Sequence, residues 1–408
     1  MTTSTIQSDN TISESPLVEK LSTQPFSLVV AATLFAIFAV SLVVEHSQYE
    51  LQALTLGVAL GLVFFHSSFG FTTAFRRMIV EKRGAGIRAI LIMLSLSVLI
   101  FFPTLASGEL FGNSVTGFVR PLGPSVVFGA FIFGIGMQLA SGCASGNLYH
   151  LGGGQLRALP AIIGFAGGAL WATADYELWT TLPQLAPVGL IETLGVVSAI
   201  ALNLALFAAI YLFTVKLEKS QHGALENEES ANNKQPLWRR LIKGPWPLIW
   251  GAVGLTVLNF ATLSLLGRPW AVALAYPVWG AKAAELLNLN LELDFWTYWM
   301  APGRDEALVD PLLADKASLM NLGVILGAFI AATLSGKFKL SFKMPIRNFT
   351  FSLLGGVLLG YGATIAYGCN IGAFVGGVVS GSLHGWLWII SALLGCIVGL
   401  KLKGLFRL

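Results

Sequence analysis

The chain has 408 residues, of which 55% are hydrophobic and 11% charged, where a soluble domain carries about 25% charged residues. Too few charges remain to cover a water-facing surface, so a soluble globule is excluded and lipid is the natural solvent. Three cysteines without a CxxC or a histidine-spaced partner exclude a disulfide framework and the common zinc sites, and the net charge of +4 is dealt across loops and not gathered into a nucleic-acid groove.

In chain order, residues 1–25 are polar and Ser/Thr-rich, with no basic start followed by a short apolar stretch and a cleavage site. This predicts a disordered cytoplasmic tail and no secretory signal. Apolar runs follow near 26–46, 51–66, 86–106, 124–142, 155–175, 190–215, 247–266, 318–336, 350–368 and 384–401. Runs of about 20 apolar residues cross a hydrocarbon core of about 30 Å as helices. The fold class is therefore an all-α integral membrane protein of about ten transmembrane helices. The polar stretch 217–243 reads as a flexible cytoplasmic linker.

Positive loops stay on the cytoplasmic side of a membrane, and this orients the set. With the N-terminus inside, 20 of the 25 Lys and Arg residues fall on cytoplasmic segments. Only Arg120, Arg268, Lys282, Arg304 and Lys316 fall outside, beside an acidic stretch from Glu285 to Asp315. Both termini are expected in the cytoplasm, in a multi-pass protein of the bacterial inner membrane.

Phe133–Asn147 (FGIGMQLASGCASGN) lies over Leu359–Ala373 (LGYGATIAYGCNIGA) at an offset of 226. Gly134, Gly136, Ala140, Gly142, Cys143 and Gly146 fall on Gly360, Gly362, Ala366, Gly368, Cys369 and Gly372. A weaker match joins HSSFGFTTAF to GRPWAVALAY. Residues 50–176 and 245–405 thus read as two repeats, with 26–46 an added helix and 177–244 a linking helix and loop. Five crossings, an odd number, separate the starts of the two halves, so the repeats are expected to be inverted about a pseudo-two-fold axis in the membrane plane. Transporters commonly place the substrate at such a repeat interface.

Glycine is permissive outside helices and poor within them, so GxGxxxxxGCxxG predicts a helix broken near the cysteine, with a short re-entrant helix after it. Unpaired backbone at membrane depth lines a cavity or is covered by protein, and exposed helix N-termini favour anions. Cys143 and Cys369 become candidate pathway thiols, polarizable and suited to a sulfur-bearing anion. Gly142, Gly146, Gly368 and Gly372 shape the breaks. Asn147 and Asn370 either cap them or donate to an anion. Ser67, Ser68, Thr72 and Thr73 supply hydroxyls at the first-half break, and Arg268 stands at its second-half counterpart, drawing anions inward or pairing with lipid headgroups. Cys396 has no repeat partner and reads as packing, and the scattered histidines offer no metal site.

On SGCASGN, YGCNIGA, HSSFGFTTAFRR and GRPWAVALAYPVWGAKA, the chain resembles the YeeE/YedE family of sulfur transporters across residues 50–405. The resemblance implies an hourglass-shaped bundle that passes thiosulfate, with transient S–H···S contacts from thiols matching Cys143 and Cys369. It also implies a small cytoplasmic TusA-like sulfurtransferase as partner. Thiosulfate importers of the family carry a third cysteine where this chain has Gly70, which leaves open a related sulfur or selenium species. No catalytic residue, cofactor or nucleotide-binding loop is expected. The competing readings are a membrane thiol redox enzyme, which would need the two cysteines within about 7 Å, and a general small-solute channel.

Overall fold

Long apolar runs fold as helices in lipid because every backbone group must be paired within the segment. The computed structural model describes residues 24–45, 48–226, 236–341 and 344–406. Almost all of the expected tail, and the centre of the expected linker, lie outside the described residues. Among them, ten segments are helical, long and apolar enough to cross a membrane.

The helices are α1 (Pro25–Glu45), α2 (Gln48–Ser67), α3 (Phe71–Arg76), α4 (Ala85–Ser107), α5 (Pro124–Leu139), α6 (Ala144–Gly152) and α7 (Leu159–Ala174). They continue as α8 (Val196–His222), α9 (Leu248–Leu266), α10 (Ala275–Leu286), α11 (Lys316–Leu334), α12 (Ile346–Ile365) and α13 (Leu383–Leu405). Several shorter helical turns and a two-strand hairpin complete the chain. The sixth span departs from expectation. Leu190–Leu194 is a separate turn, cut off at Gly195 (φ 76°, ψ 161°), and the long helix then runs on to His222, two turns beyond the expected end.

Packing between the two halves is reciprocal. α5 lies on α13 as α12 lies on α7, α2 lies on α11 as α9 lies on α4, and α5 and α12 also touch each other. Lipid tails are as apolar as leucine, so such contacts depend on close backbone approach through small residues. Gly57 and Gly61 of α2 meet the backbone at Met320 and Val324 of α11, and Gly323 and Gly327 of α11 meet Leu54 and Val58 of α2. By contrast only 11% of the α1 span and 17% of the α8 span is buried, against 72% for α11. Those two helices are the flanks left to lipid.

A side chain at Gly327 would collide with the Val58 carbonyl, which is backbone and cannot rotate away. Gly327→Val is expected to lower stability by at least the upper end of the overpacking range of about 1–3 kcal/mol. Gly167 of α7 has open space at the same position, so Gly167→Ala is the neutral control. Melting in detergent micelles checks both, and equal melting temperatures for the two variants would refute the close-approach account.

Candidate functional site

Both GC motifs break their helices. After α5 the chain turns through Ser141 (φ 58°), runs extended at Cys143 (φ −86°, ψ −173°) and restarts as α6. After α12 it turns through Tyr367 (φ 62°) and Gly368 (φ 143°), runs extended at Cys369 (φ −97°, ψ −166°) and enters a π-helical stretch, Asn370–Val375. Each cysteine is thus the N-cap of a short helix. The sequence suggested glycine as the breaking residue, but the left-handed positions shared by both motifs are Ser141 and Tyr367. Left-handed non-glycine residues need support. Ser141 has it from Lys403, whose Nζ donates to its Oγ at 2.7 Å.

The Cys143 thiol accepts from Gly146 N–H at 3.4 Å and stands 3.5 Å from Ser145 Oγ. Thr72 Oγ1 faces the same thiol outside hydrogen-bonding geometry and is buried without a partner. A side chain on Gly146 would touch only Cys143 Sγ, so that glycine keeps the thiol's flank clear. Tyr276 of α10, stacked on Phe165 at 3.9 Å, donates its hydroxyl to Ala144 O at 3.3 Å and lies within electrostatic reach of both Cys143 and Cys369. The sequence reading missed Tyr276, because its position beside the thiols is set by the packing of α10 on α7.

The two asparagines part company. Asn147 donates Nδ2 to Gly142 O at 3.3 Å and is spent on closing its own break. Asn370, next to Cys369, has no exposed surface, and neither its Oδ1 nor its Nδ2 has a partner. Unpaired buried polar atoms cost about 1–3 kcal/mol each, so an unspent amide at this point is costly unless something else uses it. All three cysteines are free thiols. Cys396 of α13 is fully buried, with Gly134 of α5 packed on its backbone, as a packing role requires.

Two cavities are walled by arginines and hydroxyls of the candidate site. One, of about 500 Å³, is lined by Arg120, Arg268 and Arg304 and reaches Gly368. Arg304 lies over Tyr298 at 4.0 Å and donates to its carbonyl at 3.2 Å, while Arg120 lies over Tyr367 at 6.0 Å. None of the three arginines is in an ion pair among the described residues. The Asp315 carboxylate on the same wall is occupied in capping α11, accepting from Ala317 N–H at 3.3 Å and Ser318 N–H at 2.8 Å. The cavity is therefore strongly electropositive. Sequence reasoning named Arg268 alone. Arg120 and Arg304 were legible only as members of the small set of cations assigned outside.

The other cavity, of about 410 Å³, is lined by Ser67, Ser68, Gly70, Thr73, Arg77 and Arg240 among others. Ser67 spends its proton on Val63 O at 2.6 Å, whereas Ser68 is exposed. Gly70 faces the Tyr149 hydroxyl, with no thiol in its place. Leu248, at the start of α9, lines this cavity, and Arg268, two residues beyond its end, lines the first. At 1.5 Å per residue α9 separates them by about 28 Å, close to a hydrocarbon thickness. A third recess, about 220 Å³, lies by Ser141, Asn147, Arg157 and Lys403. Cys143 and Cys369 line none of these cavities, being 2% and 1% exposed, and with Gly142, Gly146 and Gly372 they sit in packed protein.

The sulphur transport family matches residues 66–398. The chain belongs to that family. It is 28% identical to the thiosulfate transporter TsuA of Spirochaeta thermophila over 362 residues, 84% of this chain and 95% of that one. It is 26% identical to TsuA of Escherichia coli over 373 residues, 85% and 92% of the two chains. The probable transporter YedE of Escherichia coli is 28% identical over 165 residues, 40% of each chain. As a family member the protein is a multi-pass membrane transporter of sulfur species and not an enzyme. α1 precedes the matched region.

Proposed function

We propose that this transporter takes up thiosulfate, with Cys143 and Cys369 as the two thiols that hand the ion through a closed waist between the arginine cavity and the Ser67–Gly70 cavity. The single observation that carries the reading is the matched pair: both motifs place a free cysteine as the N-cap of a broken helix. The reciprocal helix packing supports an inverted repeat, with the short helices after the cysteines as re-entrant elements.

In this reading the arginine cavity is the outer vestibule. Three unpaired guanidinium groups gather a divalent anion from solution, an effect that weakens with salt. The buried amide of Asn370 supplies a donor for an oxyanion oxygen, while the thiols meet the sulfur end through soft contacts. The Ser67–Gly70 cavity is the cytoplasmic exit, facing a TusA-like sulfurtransferase, and both termini are cytoplasmic in the inner membrane. Downstream consumption of the sulfur supplies the gradient.

Uptake of labelled thiosulfate into proteoliposomes tests the proposal. Saturable uptake that unlabelled thiosulfate suppresses and sulfate leaves alone is expected; counts no higher than in empty liposomes would refute it. Arg268→Gln is expected to weaken apparent affinity by about fivefold at low salt, at about 1 kcal/mol for a lost contact charge, with little change in maximal rate. Suppression by selenite stronger than by thiosulfate would reassign the substrate.

A further inference from the structure

The Ser67–Gly70 cavity carries a feature that passage alone does not require. One of its wall residues is a carboxylate, Glu226, and its Oε1 takes Arg77 Nη2 at 2.9 Å. The segment that brings Glu226 there is pinned. Its backbone N–H donates at 2.9 Å to Glu218 of α8, a side chain with no exposed surface that also accepts from Arg88 at 2.7 Å, Arg83 at 3.1 Å and Gly84 N–H at 3.0 Å. Glu218 thus acts as a buried clamp that fixes Glu226 against the cavity.

Glu226 fills this seat incompletely. A guanidinium and a carboxylate match as a two-bonded fork, yet here Arg77 gives Nη2 to Glu226 and Nε to Glu81 Oε2 at 3.0 Å. Glu226 Oε2 is buried without a partner. Arg240, on the wall of the same cavity, stands over Trp250 at 5.1 Å, and its Nε is likewise buried and unpaired among the described residues. A solvated surface ion pair would leave its spare atoms in water. Here an acceptor and a donor are both dry and both unused, on one cavity, beside two cations.

We infer that this cavity is a second anion site, for a small oxyanion, seated on Arg77 and Arg240, and that Glu226 is a tethered competitor occupying the Arg77 half of the seat. Both arginines line the one cavity, and an oxyanion with three or four acceptor oxygens offers each of them an acceptor, where Glu226 is bonded to Arg77 alone. The anion gains the site only as Glu226 yields it, so entry from this side is held back by the protein's own charge. The role as an exit station rests on the transport reading, but the anion seat does not.

The test uses the full-length protein in liposomes with Thr73→Cys, an exposed helical position on the cavity wall, labelled by anionic or cationic methanethiosulfonate reagents. The unsubstituted protein supplies the background for the buried native thiols. Glu226→Gln is expected to speed anionic labelling about tenfold and leave cationic labelling unchanged or slower. Glu226→Asp, which keeps the charge, stays near the original rate. Adding Arg77→Gln cancels the gain, and millimolar sulfate or thiosulfate slows anionic labelling more in Glu226→Gln than in the original. Unchanged anionic labelling in a Glu226→Gln protein of normal melting temperature overturns the proposal, as does equal acceleration of both reagents. If the labelling pattern holds while wild-type liposomes take up no thiosulfate, the transport reading fails and the anion seat stands.

Discussion

Cys143→Ala is expected to reduce thiosulfate uptake in proteoliposomes at least about tenfold, a barrier change of about 1.4 kcal/mol, and to abolish growth on thiosulfate as sole sulfur source. The thiol has two jobs in the proposed pathway, and the variant removes both. As N-cap it accepts from Gly146 N–H, and losing such a cap costs about 0.5–2 kcal/mol of stability. In the proposed pathway it is also the soft contact for the ion. Cys143→Ser separates them, because a hydroxyl caps a helix well but is small and hard. Near-normal melting with uptake still lost is the expected result; full uptake by the serine protein would show that the cap, not the sulfur, is what matters. Cys369 is cleaner still. Its side chain makes no capping hydrogen bond, so Cys369→Ala is expected to lose uptake with little loss of stability.

Glu218→Ala is expected to cost about 3–5 kcal/mol, the range for breaking a buried ion pair by removing one partner. Arg88 is 8% exposed, and its guanidinium would be left as a buried charge beside the unpaired Gly84 N–H. Removing both charges together, as Glu218→Met with Arg88→Met, is expected to recover most of that loss, since it is the orphaned charge that is costly. Thermal unfolding of the two variants beside the wild type in one detergent measures this. A single variant as stable as the wild type would mean that water reaches Glu218 freely, and the clamp on Glu226 would go with it.

These residues also mark the limits of sequence reading. The expected sixth span ended at 215, which left Glu218 in a linker. The helix instead continues to His222, and the residue becomes the hub that joins α8 to the Arg83–Arg88 turn. Nothing local announces this, because its arginine partners lie 130 or more positions away in the chain. The fate of Asn147 and Asn370 was equally closed: both follow a GC motif, yet one is spent on its own break and the other is not. The arginine cavity draws Arg120, Arg268 and Arg304 from three separate loops.

What the sequence determined by itself was the solvent, the helical class, the number and approximate place of the spans, and the two motifs that mark the breaks. These follow from length, composition and spacing, and a bilayer enforces them segment by segment because no backbone polar group can go unpaired in hydrocarbon. Which polar side chains are used up, which cations meet in one cavity and which carboxylate is buried were decided only by the tertiary structure. Each depends on partners brought together by helix packing across the two halves, and pairing energy acts over a few ångströms in space, whatever the distance along the chain.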